Sequence, residues 1–266
     1  MAAASGVMFF SSPTIARAGY VNGFSTRLGG VSPEPFSTLN LGNSSAGPQD
    51  APEHITENIS RFQSALGVPR HQLAAVNQVH GADVAIADTG SGWRAEPSGA
   101  QGDSMGACCA DAIIVKTPEL LASMRTADCV PILIASRDGR LAAAVHAGWR
   151  GLVAGIIGRC VAEMTAISGG GELIAAVGPC IGVNRYEVGP EVALAFEKAG
   201  LRAAVQDGDK PHIDLALAAQ IELVHWGVGE IDSSPLCTFD RPEWFYSHRR
   251  DHGATGRMLS VIGLPL

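Results

Sequence analysis

Two apolar runs, 131–135 and 141–145, flank Asp138-Gly139. Asp-Gly between apolar runs predicts a β-hairpin, because a type I′ turn needs two residues that tolerate positive φ. A hairpin centred there sets His146 opposite Pro131. Cys129 lies two residues before Pro131. It then shares a face with His146, diagonally across the open end, because side chains alternate with period two along a strand. The pattern thus brings a thiol and an imidazole together by local geometry.

Other periodicities fill in the chain. Ile55, Ile59, Phe62 and Leu66 recur at helical spacing and predict an amphipathic helix over 53–66, with Asp50 and Pro52 as start signals and Gly67 as its stop. Residues 73–79 and 83–87 read as strands, as do 110–116 and 120–124, the last two separated by Thr117-Pro118. Residues 88–107, rich in Gly, Ser and Ala, read as an exposed loop. A helix follows Gly151 to about Ile167, with Leu152, Ile156, Cys160 and Met164 on one stripe, and Gly169-Gly170-Gly171 ends it. A strand over 173–177 runs into Gly178-Pro179-Cys180-Ile181-Gly182. Pro190 opens a helix to about Ala199. Asp214 caps another to about Trp226, with Leu217, Ile221 and Val224 on its stripe. A strand near 258–262 closes the chain. Helices and strands interleave without a composition break. The expectation is one compact domain over 1–266, of α/β (α+β) class, with mixed β-sheets flanked by helices.

Composition narrows the partners. The chain has 266 residues, 46% apolar and 17% charged, which reads as globular and large enough for a sizeable core. A net charge of −7 argues against a nucleic-acid-binding surface. No apolar run reaches the roughly 18 to 20 residues of a membrane span. Residues 1–10 lack a basic n-region and do not read as a signal peptide. Six cysteines with no Cys-x-x-Cys read as reduced thiols in the cytoplasm rather than a disulfide framework. The vicinal Cys108-Cys109 reads as two small buried residues at the start of a strand. A monomer is the favoured state.

Three potential ligands sit at strand ends beside glycine: His80, Cys129 and His146. Two histidines and a cysteine can hold Zn²⁺ in a tetrahedral site with the fourth position open. The plain alternative is a buried cysteine near a satisfied histidine. His80 is placed by no local geometry. Asp128, Asp103 and Asp111 are each candidates for a base or for a carboxylate orienting a histidine, and nothing local selects among them. His54, His71, His212 and His225 sit in or beside helical stretches and read as structural. Arg27, next to Gly29-Gly30, and the pair Arg249-Arg250 are candidates for holding an anion. An exposed loop arginine and a solvated basic turn are the simpler readings of these positions.

The blocks Asn77-Gln78-Val79-His80-Gly81, Thr126-Ala127-Asp128-Cys129-Val130-Pro131, Val145-His146-Ala147-Gly148-Trp149-Arg150-Gly151, Gly178-Pro179-Cys180-Ile181 and Arg249-Arg250-Asp251 resemble the signature blocks of the YfiH-type laccase-domain family. That family is also called polyphenol oxidase or purine nucleoside phosphorylase, and its bacterial members include a peptidoglycan editing factor. The resemblance runs from about Gly23 to the C-terminus, with several blocks in order. It implies a zinc site at His80, Cys129 and His146, the same three residues also serving as the catalytic centre. It implies a YfiH-like fold of β-sheets flanked by helices. It also implies phosphorolysis of purine nucleosides (adenosine, inosine, guanosine, methylthioadenosine), with adenosine deamination associated. Asn40, in Leu39-Asn40-Leu41-Gly42, and Gln78 join Arg27, Arg249 and Arg250 as candidate substrate contacts. The sequence departs from the family pattern at 88–107, at 43–49, and at His248, where a tyrosine is common.

Four readings of function follow. One is metal-centred nucleoside chemistry with phosphate and a purine nucleoside as small-molecule partners. The deaminase signature His-x-Glu with Pro-Cys-x-x-Cys is absent, so any deamination uses another constellation. A second is a cysteine hydrolase or amidase that edits cell-wall precursors, with Cys129 as nucleophile and His146 as base. A third is a copper oxidase, since a His₂Cys set can bind copper with Met124 nearby. However, eight histidines with no His-x-His do not suit a trinuclear cluster. A fourth is a non-catalytic, metal-stabilised module.

Overall fold

Two mixed β-sheets form the body of the protein in a computed structural model that describes residues 6–44, 47–88 and 108–265. In chain order the elements are β1 (Phe9–Phe10), α1 (Pro13–Arg17), β2 (Val21–Ser25), α2 (Pro52–Ala65), β3 (Gln72–Ala74), β4 (Val84–Ala87), β5 (Ala112–Val115), β6 (Leu120–Thr126), β7 (Val130–Ser136), β8 (Ala142–Ala147), α3 (Trp149–Val153), α4 (Ile156–Ser168), β9 (Leu173–Val177), α5 (Pro190–Lys198), β10 (Val205–Gln206), β11 (His212–Ile213), α6 (Leu215–His225), β12 (Glu230–Ser233) and β13 (Met258–Gly263). One sheet has the order β1-β2-β13-β6-β3 and the other β12-β9-β7-β8-β5-β4, with β10 and β11 as a separate pair. The α/β class with mixed sheets is therefore as the pattern predicts.

The two sheets stack face to face. Leu133, Ala135, Ala144 and Ile113 of the six-stranded sheet pack with Phe24, Ala122, Met124 and Ile262 of the five-stranded one. The alternate residues of the same strands, Ile132, Ile134 and Val145, pack beneath α4, α5 and α6 through Ile156, Cys160, Met164, Phe196 and Leu223. Phe62 of α2 covers the far face of the five-stranded sheet with Leu121, Leu259 and Val261. The layers run helix, sheet, sheet, helix. Strand β7 is buried on both faces, which explains its unbroken apolar run. Truncating a residue such as Ile132 to alanine would cost about 2–5 kcal/mol through the lost burial and the cavity left behind.

The β7–β8 hairpin keeps the predicted register, with Pro131 opposite His146 and Val130 opposite Ala147. Its turn is not type I′. The loop spans residues 137–140, closed by the Ser136 N–H on the Leu141 carbonyl at 3.0 Å and the Gly139 N–H on the Ser136 carbonyl at 3.1 Å. Only Gly139 takes a positive φ, of 82°. The Asp138 carboxylate accepts from the Ser136 hydroxyl and the Arg140 N–H, which holds the wider four-residue loop and keeps Asp138 out of the positive-φ region. The centre of the loop is unchanged, so the register survives.

Other elements differ from the sequence pattern for identifiable reasons. The predicted strand over 73–79 forms a continuous ladder only at β3, with a single parallel bridge from Asn77 to Cys109 beyond it, because the N–H groups of Val79, His80 and Gly81 then turn toward the Asp111 carboxylate. The predicted helix after Gly151 is two helices, α3 and α4, broken at Gly155 with φ 77°. In α6 the buried residues are Leu215, Ala218, Ala219 and Leu223, whereas Leu217 and Val224 are exposed. That helix is apolar nearly all round, so periodicity cannot choose its face; its alanines allow the close approach. Cys108 is buried and Cys109 partly so, three or more residues ahead of β5. The predicted loop over 88–107 lies outside the described residues apart from Asp88.

Candidate metal centre

The site forms where the chain passes from one sheet to the other. Strand β6 of the first sheet leads into β7 of the second through Ala127, Asp128 and Cys129, and Asp128 takes the corner at φ 99°. Strand β3 runs parallel to β6, so it too leaves the first sheet at this end, and His80 stands on its crossover with φ 59°. Strand β8 runs antiparallel to β7, so its last residues, His146 and Ala147, arrive at the start of β7. Three ligand candidates widely spaced in sequence therefore meet at one end of the stacked sheets. The ligand atoms of His80, Cys129 and His146 all lie within 4.8 Å of one another. Left-handed φ at two non-glycine residues is local strain concentrated at the site.

Asp111 organises two of the three. It precedes β5, whose register against β8 sets it opposite His146. Its Oδ1 accepts from His146 Nδ1 at 2.7 Å and from the His80 N–H at 3.0 Å, and its Oδ2 accepts from the Gly81 N–H at 2.6 Å and the Val79 N–H at 3.2 Å. One buried carboxylate thus aims the His146 ring and shapes the loop that carries His80. With Nδ1 turned to Asp111, His146 presents Nε2 to the centre. Burial pushes the Asp111 carboxyl up, but His146 and the backbone N–H groups hold it below the usual carboxylate range.

Exposure is graded across the centre: His80 is exposed, Cys129 half-buried and His146 buried. Burial alone would raise the Cys129 thiol, yet His146 and His80 bring it down to about 6. Burial would lower His146, but the Cys129 thiolate and Asp111 push it up to about 9. The protein therefore favours the thiolate, the form that ligates metals. The shape agrees. A Cβ on Gly148 would stand 3.0 Å from His80 Cδ2 and 3.2 Å from Cys129 Sγ. A glycine here keeps that cradle open. Two imidazoles, one thiolate and a carboxylate behind them fit a borderline-soft divalent ion with an open coordination position.

The other candidates divide. The Asp128 carboxylate accepts from the Thr238 hydroxyl and the Arg249 N–H, both at 2.7 Å. Asp103 lies outside the described residues. Arg27 holds the carbonyls of Ser37 and Pro242 and lies 4.7 Å from the Tyr246 ring centroid. Arg250 is enclosed by the carbonyls of Thr238, Phe239 and Phe245 and the carboxylate of Asp251. Arg249 is exposed; its Nη1 meets the Glu187 carbonyl and its guanidinium lies 5.0 Å from the Tyr186 ring. Asn40 is fully buried, giving to Asp50 and accepting from the N–H groups of Gly42 and Arg257. Gln78 clasps the backbone of Arg125 at 2.8 Å on both its N–H and its carbonyl.

Sequence reasoning left Asp111 as one of three, and only the β5–β8 register selects it. It passed over Tyr186, whose phenol is pushed up to about 12 by burial and by the nearby Cys129. It also passed over Arg125 and Arg257, which carry no local motif.

The sequence matches the family described as multi-copper polyphenol oxidoreductase laccase over residues 21–265. The chain belongs to this family. Among its relatives, a protein of Deinococcus radiodurans named purine nucleoside phosphorylase is 39% identical over 98% of this chain and 95% of its own length. Purine nucleoside phosphorylase YfiH of Escherichia coli is 39% identical over 90% of this chain and 92% of its own. The fold matches that of YlmD from Geobacillus stearothermophilus with a TM-score of 0.85 and 30% identity, over 100% of this chain and 98% of that one. It matches YfiH from Bacillus licheniformis at 0.83 and 28%, over 98% and 97%. Among the described residues no helix is long and apolar enough to cross a membrane. In this member of the laccase-like YfiH family, the His-Cys-His cluster points to a bound metal.

Proposed function

We propose that this protein is a zinc-dependent purine nucleoside phosphorylase, with adenosine deaminase activity at the same centre. The observation that carries the reading is the cluster of His80, Cys129 and His146 with Asp111 behind it, in a chain whose relatives bear the phosphorylase name. His80, Cys129 and His146 would hold the ion. Zinc, when bound, supplies Lewis-acid stabilisation of developing negative charge and can lower the pKa of water. The chain itself does the rest. Asp111 fixes the His146 tautomer, the half-open cradle admits a substrate on the His80 side, and Tyr186 stands by the thiolate as a neutral phenol.

The test is direct. Zinc-loaded protein is incubated with inosine or adenosine, with and without phosphate, beside a Cys129→Ala control. Phosphate-dependent release of hypoxanthine or adenine, absent in the control, is expected, as is formation of inosine from adenosine. Free base at the control level sinks the phosphorylase; no inosine from adenosine sinks the deaminase alone.

A second reading rests on one observation, the chain of contacts from Asp111 through His146 to Cys129. It has the order of a nucleophile, base and orienting acid, which suits a cysteine hydrolase or amidase acting on a cell-wall precursor. Metal-replete protein that still acylates Cys129 would favour it. Copper oxidation has the weakest support, because one mononuclear donor set is the single His/Cys cluster of this kind among the described residues.

A further inference from the structure

Arg125 and Arg257 lie on one face of the β6–β13 pair. Met258 pairs with Thr126 and Leu259 with Arg125. Arg257 therefore sits opposite Ala127 and diagonal to Arg125. Both are half-buried, and burial lowers both guanidinium pKa values from their ordinary range. Buried arginines are ordinarily paired with carboxylates. Among the described residues these two are not. Arg125 gives Nε to the Leu41 carbonyl at 3.1 Å; Arg257 gives Nη1 to the carbonyls of Thr255 and Gly256. The Nη groups of Arg125, and Nε and Nη2 of Arg257, meet no protein acceptor among the described residues.

The surroundings hold these side chains in place. A Cβ on Gly42 would lie 2.3 Å from Arg125 Cδ, so any side chain there would displace the arginine from its present path. Asn40 Oδ1 accepts from the Arg257 N–H at 2.8 Å and the Gly42 N–H at 3.3 Å, tying both arginine walls together. Gln78 clasps the Arg125 backbone two residues before His80, and Ala127 joins β6 to Cys129. Arg257 feels the charges of Cys129 and Asp128. Two guanidinium groups with donors to spare, on one face of β6 and β13 and with Arg257 near enough to the centre to feel Cys129, match a tetrahedral oxyanion.

We propose that Arg125 and Arg257 form the inorganic phosphate subsite of the centre, with Asn40, Gly42 and Gln78 as its positioning residues. The assignment of phosphate as co-substrate rests on the phosphorylase reading above. In that reaction an oxygen of hydrogen phosphate bonds to ribose C1′ as the glycosidic C–N bond breaks. The electron pair leaves with the purine, and the proton of hydrogen phosphate ends on the base nitrogen. The two arginines orient the nucleophile and exchange no proton.

Inorganic phosphate is titrated into the zinc-loaded full chain and followed by calorimetry, for the wild type, Arg125→Lys and Arg257→Lys. Each variant is expected to bind phosphate about tenfold more weakly or worse, as lost bidentate pairing implies, with zinc content unchanged. In turnover the phosphate KM rises and the nucleoside KM holds. Phosphate is also expected to shield Arg125 and Arg257 of the wild type from phenylglyoxal, read by peptide mapping, which needs no variant to fold. A wild type that binds no phosphate, or variants that bind it as well as the wild type, overturns the subsite. Binding lost in the variants of a chain that shows no phosphorolysis keeps the subsite and rejects the phosphorylase. Phosphorolysis with an unmoved phosphate KM does the reverse.

Discussion

His146 Nδ1 and Asp111 Oδ1 stand 2.7 Å apart, both side chains buried, His146 on β8 and Asp111 immediately before its antiparallel neighbour β5. The same carboxylate holds three successive N–H groups of the His80 loop. Replacing Asp111 with alanine removes the aim of one candidate ligand, His146, and the support of another, His80. Zinc affinity should fall by about 10- to 100-fold, as for other partners that orient metal-binding histidines. Competition against a chelator of known affinity measures it, and an unchanged affinity would falsify the role.

Gly148 offers a cleaner separation of site from fold. Its φ of −76° is open to any residue, so alanine there adds no backbone strain. The added methyl would crowd His80 Cδ2 and Cys129 Sγ at 3.0 and 3.2 Å. Gly148→Ala should keep Tm within a few degrees while zinc affinity drops about tenfold. Thermal melts of metal-free protein beside zinc titrations test this; equal metal affinity would count against the cradle.

Metal removal should change the chemistry of one cysteine selectively. Burial raises the Cys160 thiol to about 12 and raises Cys180 further, whereas the two histidines bring Cys129 down. Iodoacetamide should label Cys129 fastest after chelation, and saturating zinc should suppress that labelling at least tenfold, because a coordinated thiolate is a poor nucleophile. Mass-spectrometric mapping reads it out. Labelling that ignores zinc would move the assignment toward a cysteine hydrolase.

Away from the centre, Asp50 sets an acid limit on stability. Burial pushes its carboxyl up, but hydrogen bonds from Ser32, His54, Asn40 and the Ala51 N–H more than offset this and hold it below the ordinary value. A depressed folded-state pKa stabilises at pH above the unfolded value of about 3.9, and that stabilisation fades as pH falls through it toward the folded value. Asp50→Asn should cost about 1–3 kcal/mol at pH 7. Its Tm should also fall less between pH 5 and 3 than that of the wild type. Parallel Tm profiles for the two proteins would remove Asp50 from the account.

Local pattern carried some of this protein a long way. The Asp-Gly loop set the pairing of β7 with β8, and with it the meeting of Cys129 and His146, because a hairpin's register depends only on residues close in sequence. Gly169 after α4 and Asp214 before α6 marked helix ends for equally local reasons, a left-handed residue at φ 74° and a side chain capping the Leu217 N–H. The buried face of α6 was not legible, since an almost wholly apolar helix presents no stripe and its neighbours choose the side.

Tertiary structure alone decided who joins the pair. His80 reaches it because β3 runs parallel to β6 and leaves its sheet at the same end. Asp111 was one carboxylate of three until the β5–β8 register set it against His146. Arg125 and Arg257 stand far apart in the chain and share a face only through β6 and β13. Short-range geometry is written in neighbouring residues; convergence of distant segments depends on strand order and sheet stacking, which are fixed by the burial of the whole core at once.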